Sequence, residues 1–478
     1  MDTYPSKSKK KMVVITSYFA GGTYGLLGPQ LAATLIEAHT PYACIVIAIS
    51  REDDKSQLKE ALFDYFGSER PIIGFSSLSG REDLFNFAKE LKEEGCFTLL
   101  AGPQADVDFR GEVGCGDFPH RFQGLSGHFS CALQGPAEQS FGLLAAMDVD
   151  RRRDVPGLLF IGPGGKVVQR NRLPWNERYF GSVRWDNICR LEKSRITPHR
   201  VDSAQVLQQI GCPHAARRRK VEIDYPAFFY NRKGLTVASD IKGCSFCDVA
   251  VDKGFRGVVS PDAVLDQIGA LPVGPDGRKI PFELINENPL AGLLPMLYGA
   301  EKRKIPLSRI NLIMRADWFV RGFENLREAL SLAGEMGIRI VLASVGFESF
   351  DDTILRNLNK GLTVQTILKA VSRMRRLKDE FPNVWGYSRA DGANHGFIHP
   401  TPWDSEQTSL NIREIIDRYA LAPDILPEHS TPLIIHHASG LADWIREVEK
   451  RERVRFRRYG SIIGWWQESL QTEPLQSG

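Results

Sequence analysis

Ser239-Asp240-Ile241-Lys242-Gly243-Cys244-Ser245-Phe246-Cys247-Asp248 holds a Cys-x-x-Cys pair with an aromatic residue just before the second cysteine. A tight turn brings two thiolates spaced this way to one point, where they bind one metal centre. Zinc sites, redox dithiols and iron–sulfur clusters all use the spacing, so the pair alone does not choose among them. The chain on either side narrows the choice.

Residues 234–239 read as a strand that runs directly into the cysteine loop. A metal loop at the carboxyl end of a first strand is where a barrel places its active site. Ser260 and Pro261 suit the N-cap and first turn of a helix over 261–271. Strand-like runs over 282–285, 309–314 and 338–344 end in Asn286-Glu287-Asn288-Pro289, Arg315-Ala316-Asp317 and Val345-Gly346-Phe347-Glu348-Ser349. A further run around 394–398 ends in His399-Pro400-Thr401-Pro402. Strands that end in polar residues and are followed by helices predict a full or partial (β/α) barrel over 226–420.

The first third of the chain alternates in the same way. Strand-like runs over 12–17, 43–49, 71–75 and 97–100 are separated by helical patterns over 26–38, 54–66 and 81–94. This order predicts an α/β domain, 1–164, with a doubly wound parallel sheet. Ligands of such sheets bind at the carboxyl ends of the strands. Those ends carry small and polar residues here, including Ser76, Ser77, Gly102 and Gln104. Residues 105–132 read as a long loop, with His120 and His128 facing solvent. Residues 165–225 read as a linker, and 421–478 as a C-terminal extension whose last residues, 472–478, are disordered. The runs Arg151-Arg152-Arg153 and Arg217-Arg218-Arg219-Lys220 read as solvated faces. Trp465-Trp466 reads as packing against the barrel.

With 478 residues the chain is long enough for two or three domains with real cores. Its net charge of +3 is too small to argue for nucleic acid or a membrane surface. No apolar run reaches the roughly 18 residues of a spanning helix, and the polar start has no signal-peptide core. The reading is a cytoplasmic protein. Of eight cysteines, six are scattered without a framework pattern. Cys44 and Cys96 sit in or beside apolar runs and read as buried side chains. Cys115, Cys131, Cys189 and Cys212 remain candidates for a remote metal ligand.

The segment over 230–420 resembles the radical S-adenosylmethionine superfamily. The likeness rests on Cys244, Phe246 and Cys247, on Val345-Gly346-Phe347-Glu348-Ser349, and on Asp352, Leu355 and Leu358-Asn359-Lys360-Gly361. Gly396-Phe397-Ile398-His399-Pro400-Thr401-Pro402 matches a further family turn imperfectly. The resemblance implies a [4Fe-4S] cluster held by three cysteines, with the fourth iron binding S-adenosylmethionine. It implies that Phe246, Asn286, Glu287, Arg315 and Glu348 face that cofactor. The alternatives are a helix-capping carboxylate for Glu348 and a structural ion pair for Arg315. The N-terminal domain looks like the cobalamin-binding domain that precedes many radical S-adenosylmethionine cores. Gly25 to Pro29, the Ser-Ser-Leu-Ser turn at 76–79 and Ala101-Gly102-Pro103-Gln104 carry that likeness, without the histidine signature that ligates cobalt in other cobalamin domains. The alternative is a flavodoxin-like domain with another ligand or none.

The family's first cluster cysteine falls at position 240, and this chain has Asp240 there. Three readings follow. Asp240 joins Cys244 and Cys247 as an oxygen ligand, which would shift the potential and lability of the cluster. A remote cysteine such as Cys212 completes the site. Or the cluster is absent or altered, and the protein binds cofactors without the usual chemistry. The resemblance favours a cobalamin-dependent enzyme that moves a methyl group to an unreactive carbon. A radical rearrangement or cyclisation is the enzymatic alternative, and a cluster-deficient accessory protein the other. The implied partners are a small-molecule or peptide substrate and an electron donor such as flavodoxin or ferredoxin.

Overall fold

Met12, Val13, Val14 and Ile15 are consecutive and all buried, the mark of a strand covered on both faces. Such strands build the first of two compact units, Met1–Ala204 and Gln205–Gly478. The computed structural model describes residues 9–145, 147, 154–247, 254–425, 430–465 and 472–474. Asp248, the Arg151-Arg152-Arg153 run and Trp466 lie outside the described residues.

The strands of the first unit are β1 (Lys10–Ser17), β2 (Tyr42–Ile49), β3 (Ile72–Ser76), β4 (Phe97–Ala101), β5 (Cys131–Leu133), β6 (Leu158–Ile161), β7 (Val167–Gln169), β8 (Ile188–Glu192) and β9 (Arg195–Pro198). They form one sheet in the order β7-β6-β5-β4-β3-β1-β2-β8-β9. The six central strands, from β5 to β8, are parallel, and β6, β7 and β9 pair antiparallel at the edges. Helices Leu27–His39, Lys55–Phe66 and Glu82–Glu93 supply the connections between the first four strands. The core joins Val13, Ile15, Ile47 and Phe75 from the strands to Leu58, Phe66, Phe85 and Leu91 from the helices. The strand order reverses between β1 and β3, and the crevice beyond their carboxyl ends is where open sheets of this kind bind ligands.

The sheet is wider than the sequence reading. Residues 165–204, taken as the start of a linker, supply β7, β8 and β9. These strands are short or half-exposed, so they lack the long apolar runs that mark central strands. His120 is exposed, while His128 is partly buried against Phe85 and Phe122. The loop around them is ordered by Glu112, whose buried carboxylate accepts from the Leu125 and Ser126 N–H groups, both at 2.8 Å.

In the second unit β10 (Ala204–Leu207), β15 (Phe282–Ile285), β16 (Arg309–Arg315), β17 (Arg339–Gly346) and β18 (Trp385–Gly386) form a five-stranded sheet in chain order, while β11 (Gln209–Gly211) and β14 (Phe255–Val258) pair antiparallel apart from it. The strands from β15 to β18 are parallel, and helices such as Leu290–Lys302 and Phe323–Glu335 run between them. The expected N-cap is present: Ser260 Oγ accepts from the Ala263 N–H at the start of helix Pro261–Gly269. This is a partial barrel wall. Its first strand is β10, from the stretch read as linker, and not the strand before the cysteines.

The cysteine strand is β13 (Thr236–Lys242), which pairs antiparallel with β12 (Arg218–Asp224) as a separate two-stranded ribbon. The physical reason is its alternation. Val237 and Ile241 are buried while Thr236, Ala238 and Asp240 are exposed, which suits a half-covered ribbon and not a doubly covered barrel strand. Arg218, Arg219 and Lys220 lie on β12 and are exposed, as a solvated run should be. The ribbon's apolar face packs on the C-terminal segment, where Leu433, Leu441, Trp444 and Phe456 share a core with Val237 and Ile241. Residues 472–474 are a strand, paired with Val454–Phe456, and not disordered; backbone pairing needs no apolar side chains.

Candidate functional site

In the first unit Ser76, Ser77, Gly102 and Gln104 come together at the carboxyl edge of β3 and β4. Thr16 Oγ1 donates to the Ser76 carbonyl at 2.9 Å, and Ser17 Oγ accepts from the Leu78 N–H at 3.0 Å. These bonds tie the end of β1 to the turn after β3. Gly102 has φ +70° and ψ −156°, a region open essentially to glycine. A Cβ there would stand 2.6 Å from Ser76 Oγ. Gln104 is buried, and its amide, oriented to satisfy both neighbours, accepts from Ser79 and donates to Asp108. Its role is therefore to brace the turn. Ser77 Oγ is different: among the described residues it is buried with no hydrogen-bond partner. A buried hydroxyl without a partner costs free energy unless a ligand supplies one. Phe19 and Leu78, 70% and 54% exposed, give the neighbouring turns apolar surface. The glycine lets the ends of β3 and β4 pack closely, and the orphan hydroxyl and exposed apolar side chains beside them fit a large ring cofactor such as cobalamin.

In the second unit the cysteine loop is pinned from three sides. Ser245 is fully buried; its N–H donates to the Leu358 carbonyl and its Oγ to the Asn357 carbonyl, both at 2.9 Å. Its own carbonyl accepts from the Leu441 N–H at 2.9 Å. Asn359 Nδ2 donates to the Gly243 carbonyl at 2.6 Å. The Cys247 N–H donates to the Cys244 carbonyl at 3.2 Å, closing the tight turn that the spacing predicts. Phe246 packs on the ribbon core, with the Lys360 ammonium 6.0 Å from its ring centre.

Two buried cations stand beside Cys244. Arg315 Nη1 donates to Cys244 Sγ at 3.6 Å, Nη2 donates to the Lys360 carbonyl, and Nε donates to Asp317 at 3.0 Å. Lys360 Nζ lies 2.6 Å from Glu348 Oε1. Burial alone would push the Lys360 ammonium down, but the charges on Glu348 and Cys244 outweigh it and hold its pKa above the ordinary value. Glu348 has φ +64°, unusual for a residue with a side chain. The cap of the following helix is Asp351, so Glu348 is not a capping carboxylate. Glu287 is exposed to solvent, yet protein surrounds its carboxyl closely enough to raise its pKa, against the pull of Lys360 and Arg315. Glu287 interacts electrostatically with Lys360, Arg315 and Glu348, so these side chains face one another across a recess beside Cys244.

Asn286 does not point free into this recess. Its Nδ2 donates to Gln208 Oε1 and its Oδ1 accepts from the Asn288 N–H, both at 2.7 Å, so it shapes the strand end. Asp240 stands inside β13, exposed and opposite Lys220, and not in the turn with the cysteines. Next to Arg315 lies a cavity of about 270 Å³ lined by His214, Arg219, Arg315, Asp317, Trp318 and Arg321. Three guanidinium groups against one carboxylate leave it positive, suited to an anionic group of a ligand. The thiols and adjacent cations fit an anionic iron–sulfur cluster. Lys360, Asn359 and Ser245 had no role assigned from the sequence. The signal for the first two was the motif Leu358-Asn359-Lys360-Gly361, whose members act on one loop.

No protein-family model and no curated protein matches the chain. Solved structures do. The cobalamin-dependent S-adenosylmethionine radical enzyme OxsB with aqua-cobalamin and S-adenosylmethionine bound is similar with a TM-score of 0.56 at 13% identity, over 95% of this chain and 64% of that chain. The same enzyme with aqua-cobalamin alone gives 0.55 at 13% identity, and its apo form 0.56 at 12%, with the same coverage. This chain thus spans 64% of the length of OxsB. At this identity the likeness is one of fold. The mixed α/β chain, a parallel sheet unit followed by a partial barrel, has the fold of a cobalamin-dependent S-adenosylmethionine radical enzyme.

Proposed function

We propose that this chain is a cytoplasmic, cobalamin-dependent radical S-adenosylmethionine enzyme that transfers a methyl group to an unreactive carbon of a small-molecule or peptide substrate. The observation that carries the reading is the thiol recess at Cys244, flanked by Arg315 and Lys360, in a chain with the fold of OxsB. In this reading Cys244 and Cys247 hold a [4Fe-4S] cluster, and the two cations offset its negative charge. Glu287 and Glu348 accept hydrogen bonds from S-adenosylmethionine, and the basic cavity takes an anionic group of cofactor or substrate. Ser77 and the backbone freed by Gly102 hold cobalamin. When bound, the cluster and S-adenosylmethionine supply one-electron chemistry and cobalamin supplies methyl-carrying chemistry. A flavodoxin or ferredoxin provides the electron.

Asp240 in place of a first cysteine favours a second reading, a cluster-deficient accessory protein that binds the cofactors without cleaving them. Product analysis separates the two. The protein is reconstituted anaerobically, loaded with hydroxocobalamin and incubated with S-adenosylmethionine and a one-electron reductant. Methyl transfer releases both 5′-deoxyadenosine and S-adenosylhomocysteine. A rearrangement releases 5′-deoxyadenosine alone, and an accessory protein releases neither.

A further inference from the structure

We propose that Cys212 is the third cysteine ligand of the cluster, standing in for the cysteine that position 240 lacks. The inference rests on the cluster-binding reading above.

Cys212 is 32 residues before Cys244 in the chain, but the fold brings it within electrostatic reach of Cys244, Glu287 and Arg315. It opens the short turn Pro213–Ala215, and its N–H donates to the Gly254 carbonyl at 2.7 Å. Gly211, at φ +81°, makes that approach possible, since a Cβ there would stand 2.2 Å from the Gly254 oxygen. Two residues on, His214 Nε2 donates to the Asn359 carbonyl at 2.9 Å. The side chain of the same Asn359 holds the Gly243 carbonyl, next to Cys244. A Cβ on Gly361 would lie 3.3 Å from the His214 ring and 3.7 Å from Arg315 Nη2. The Cys212 turn, the 359–361 turn and the cysteine loop are therefore one packed assembly, with Arg315 donating into it.

The side-chain chemistry agrees. Glu287, Cys244, His214 and Arg315 all stand close enough to the Cys212 thiol to act on it electrostatically. Its electrostatic neighbours are thus the groups that line the recess. Cys212 is partly exposed, as a ligand reached from an open recess must be. Asp240 lies in the regular ladder of β13, on a strand whose turn has not begun. A thiolate is also the softer donor and better matched to iron–sulfur iron. Ligation exchanges the thiol proton for an S–Fe bond, and the proton leaves to solvent.

The test reads metal content and thiol protection, not turnover. Full-length protein is reconstituted anaerobically with ferrous iron and sulfide, then treated with iodoacetamide and mapped by mass spectrometry. Cys212 should be protected together with Cys244 and Cys247, while the partly exposed Cys115 reacts as it does without iron. In Cys212→Ser, iron should fall from about four per chain to about one or less, and Asp240→Asn should keep its iron. Cys212 alkylated at its iron-free rate, with Cys244 and Cys247 protected, would overturn the assignment and leave the cluster reading standing. So would iron lost in Asp240→Asn and kept in Cys212→Ser. Wild-type protein that takes up no cluster would remove the functional reading and this inference together.

Discussion

Lys360 and Glu348 share a hydrogen bond of 2.6 Å with side chains only 7% and 12% exposed. Removing one partner of such a pair leaves the other charge buried and uncompensated, which costs more than the pair contributes. Lys360→Met should destabilise the protein by about 3–5 kcal/mol, read as a lower urea midpoint. The double variant Lys360→Met/Glu348→Gln should recover much of that loss. Additive losses would show that the two groups do not act as a pair. Glu348 was legible in the sequence because it ends a strand in a recognisable segment. Its partner was not, because the two lie 12 residues apart and meet only when the chain doubles back through helix Asp352–Asn357. Gln104 and Asn286 were read as cofactor contacts from the family resemblance and their strand-end positions, whereas their amides brace the turns they stand in. Position at a strand end does not reveal whether a polar side chain faces outward or back onto the backbone.

Turns decide how these elements present their side chains. Gly102 occupies a glycine-only conformation against Ser76, so Gly102→Ala should cost about 1–3 kcal/mol. The same variant should retain less hydroxocobalamin through gel filtration, because the added Cβ displaces the edge that carries Ser76 and Ser77. Wild-type retention with a lowered melting temperature would make Gly102 structural only. At the other site, the strand end beside Glu348 leans on His395, which is fully buried. Its Nδ1 accepts from the Val345 N–H at 3.1 Å and its Nε2 donates to the Tyr387 carbonyl at 2.6 Å. Burial lowers its pKa, against the pull of the Tyr387 carbonyl and Asp424. The folded state thus favours the neutral ring. Its contribution to stability is complete above the unfolded value of about 6.5 and is lost as pH falls through that value towards the lower folded one. The urea midpoint should therefore drop between pH 7 and pH 5, with a slope of up to about 1 kcal/mol per pH unit from this group. His395→Gln should flatten that slope, and an unchanged slope would exclude His395 as its source. The ribbon of β12 and β13 is the element that sequence reading placed wrongly. A strand leading into a metal loop looked like the first barrel strand, but the alternation of Val237 and Ile241 with exposed neighbours already carried the antiparallel pattern.

At the scale of the whole chain, alternating apolar runs and helical patterns were enough to predict both parallel sheets. They were not enough to find β8 and β9, or β10, because edge and hairpin strands of four or five residues leave no long periodic signal. The C-terminal extension was also legible only as an appendage, although Leu441 and Trp444 pack directly beneath the cysteine ribbon. Long-range packing of that kind has no local mark in a sequence. Under the proposed function one chain carries both a cobalamin and a cluster able to engage S-adenosylmethionine. The most direct measurement is cobalt and iron content of a single anaerobically reconstituted, cobalamin-loaded sample, followed by EPR of the reduced protein with and without S-adenosylmethionine. The expected result is about one cobalt and about four irons per chain, and a cluster signal that shifts when S-adenosylmethionine is added. Cobalt without iron, or a cluster signal indifferent to S-adenosylmethionine, would contradict it.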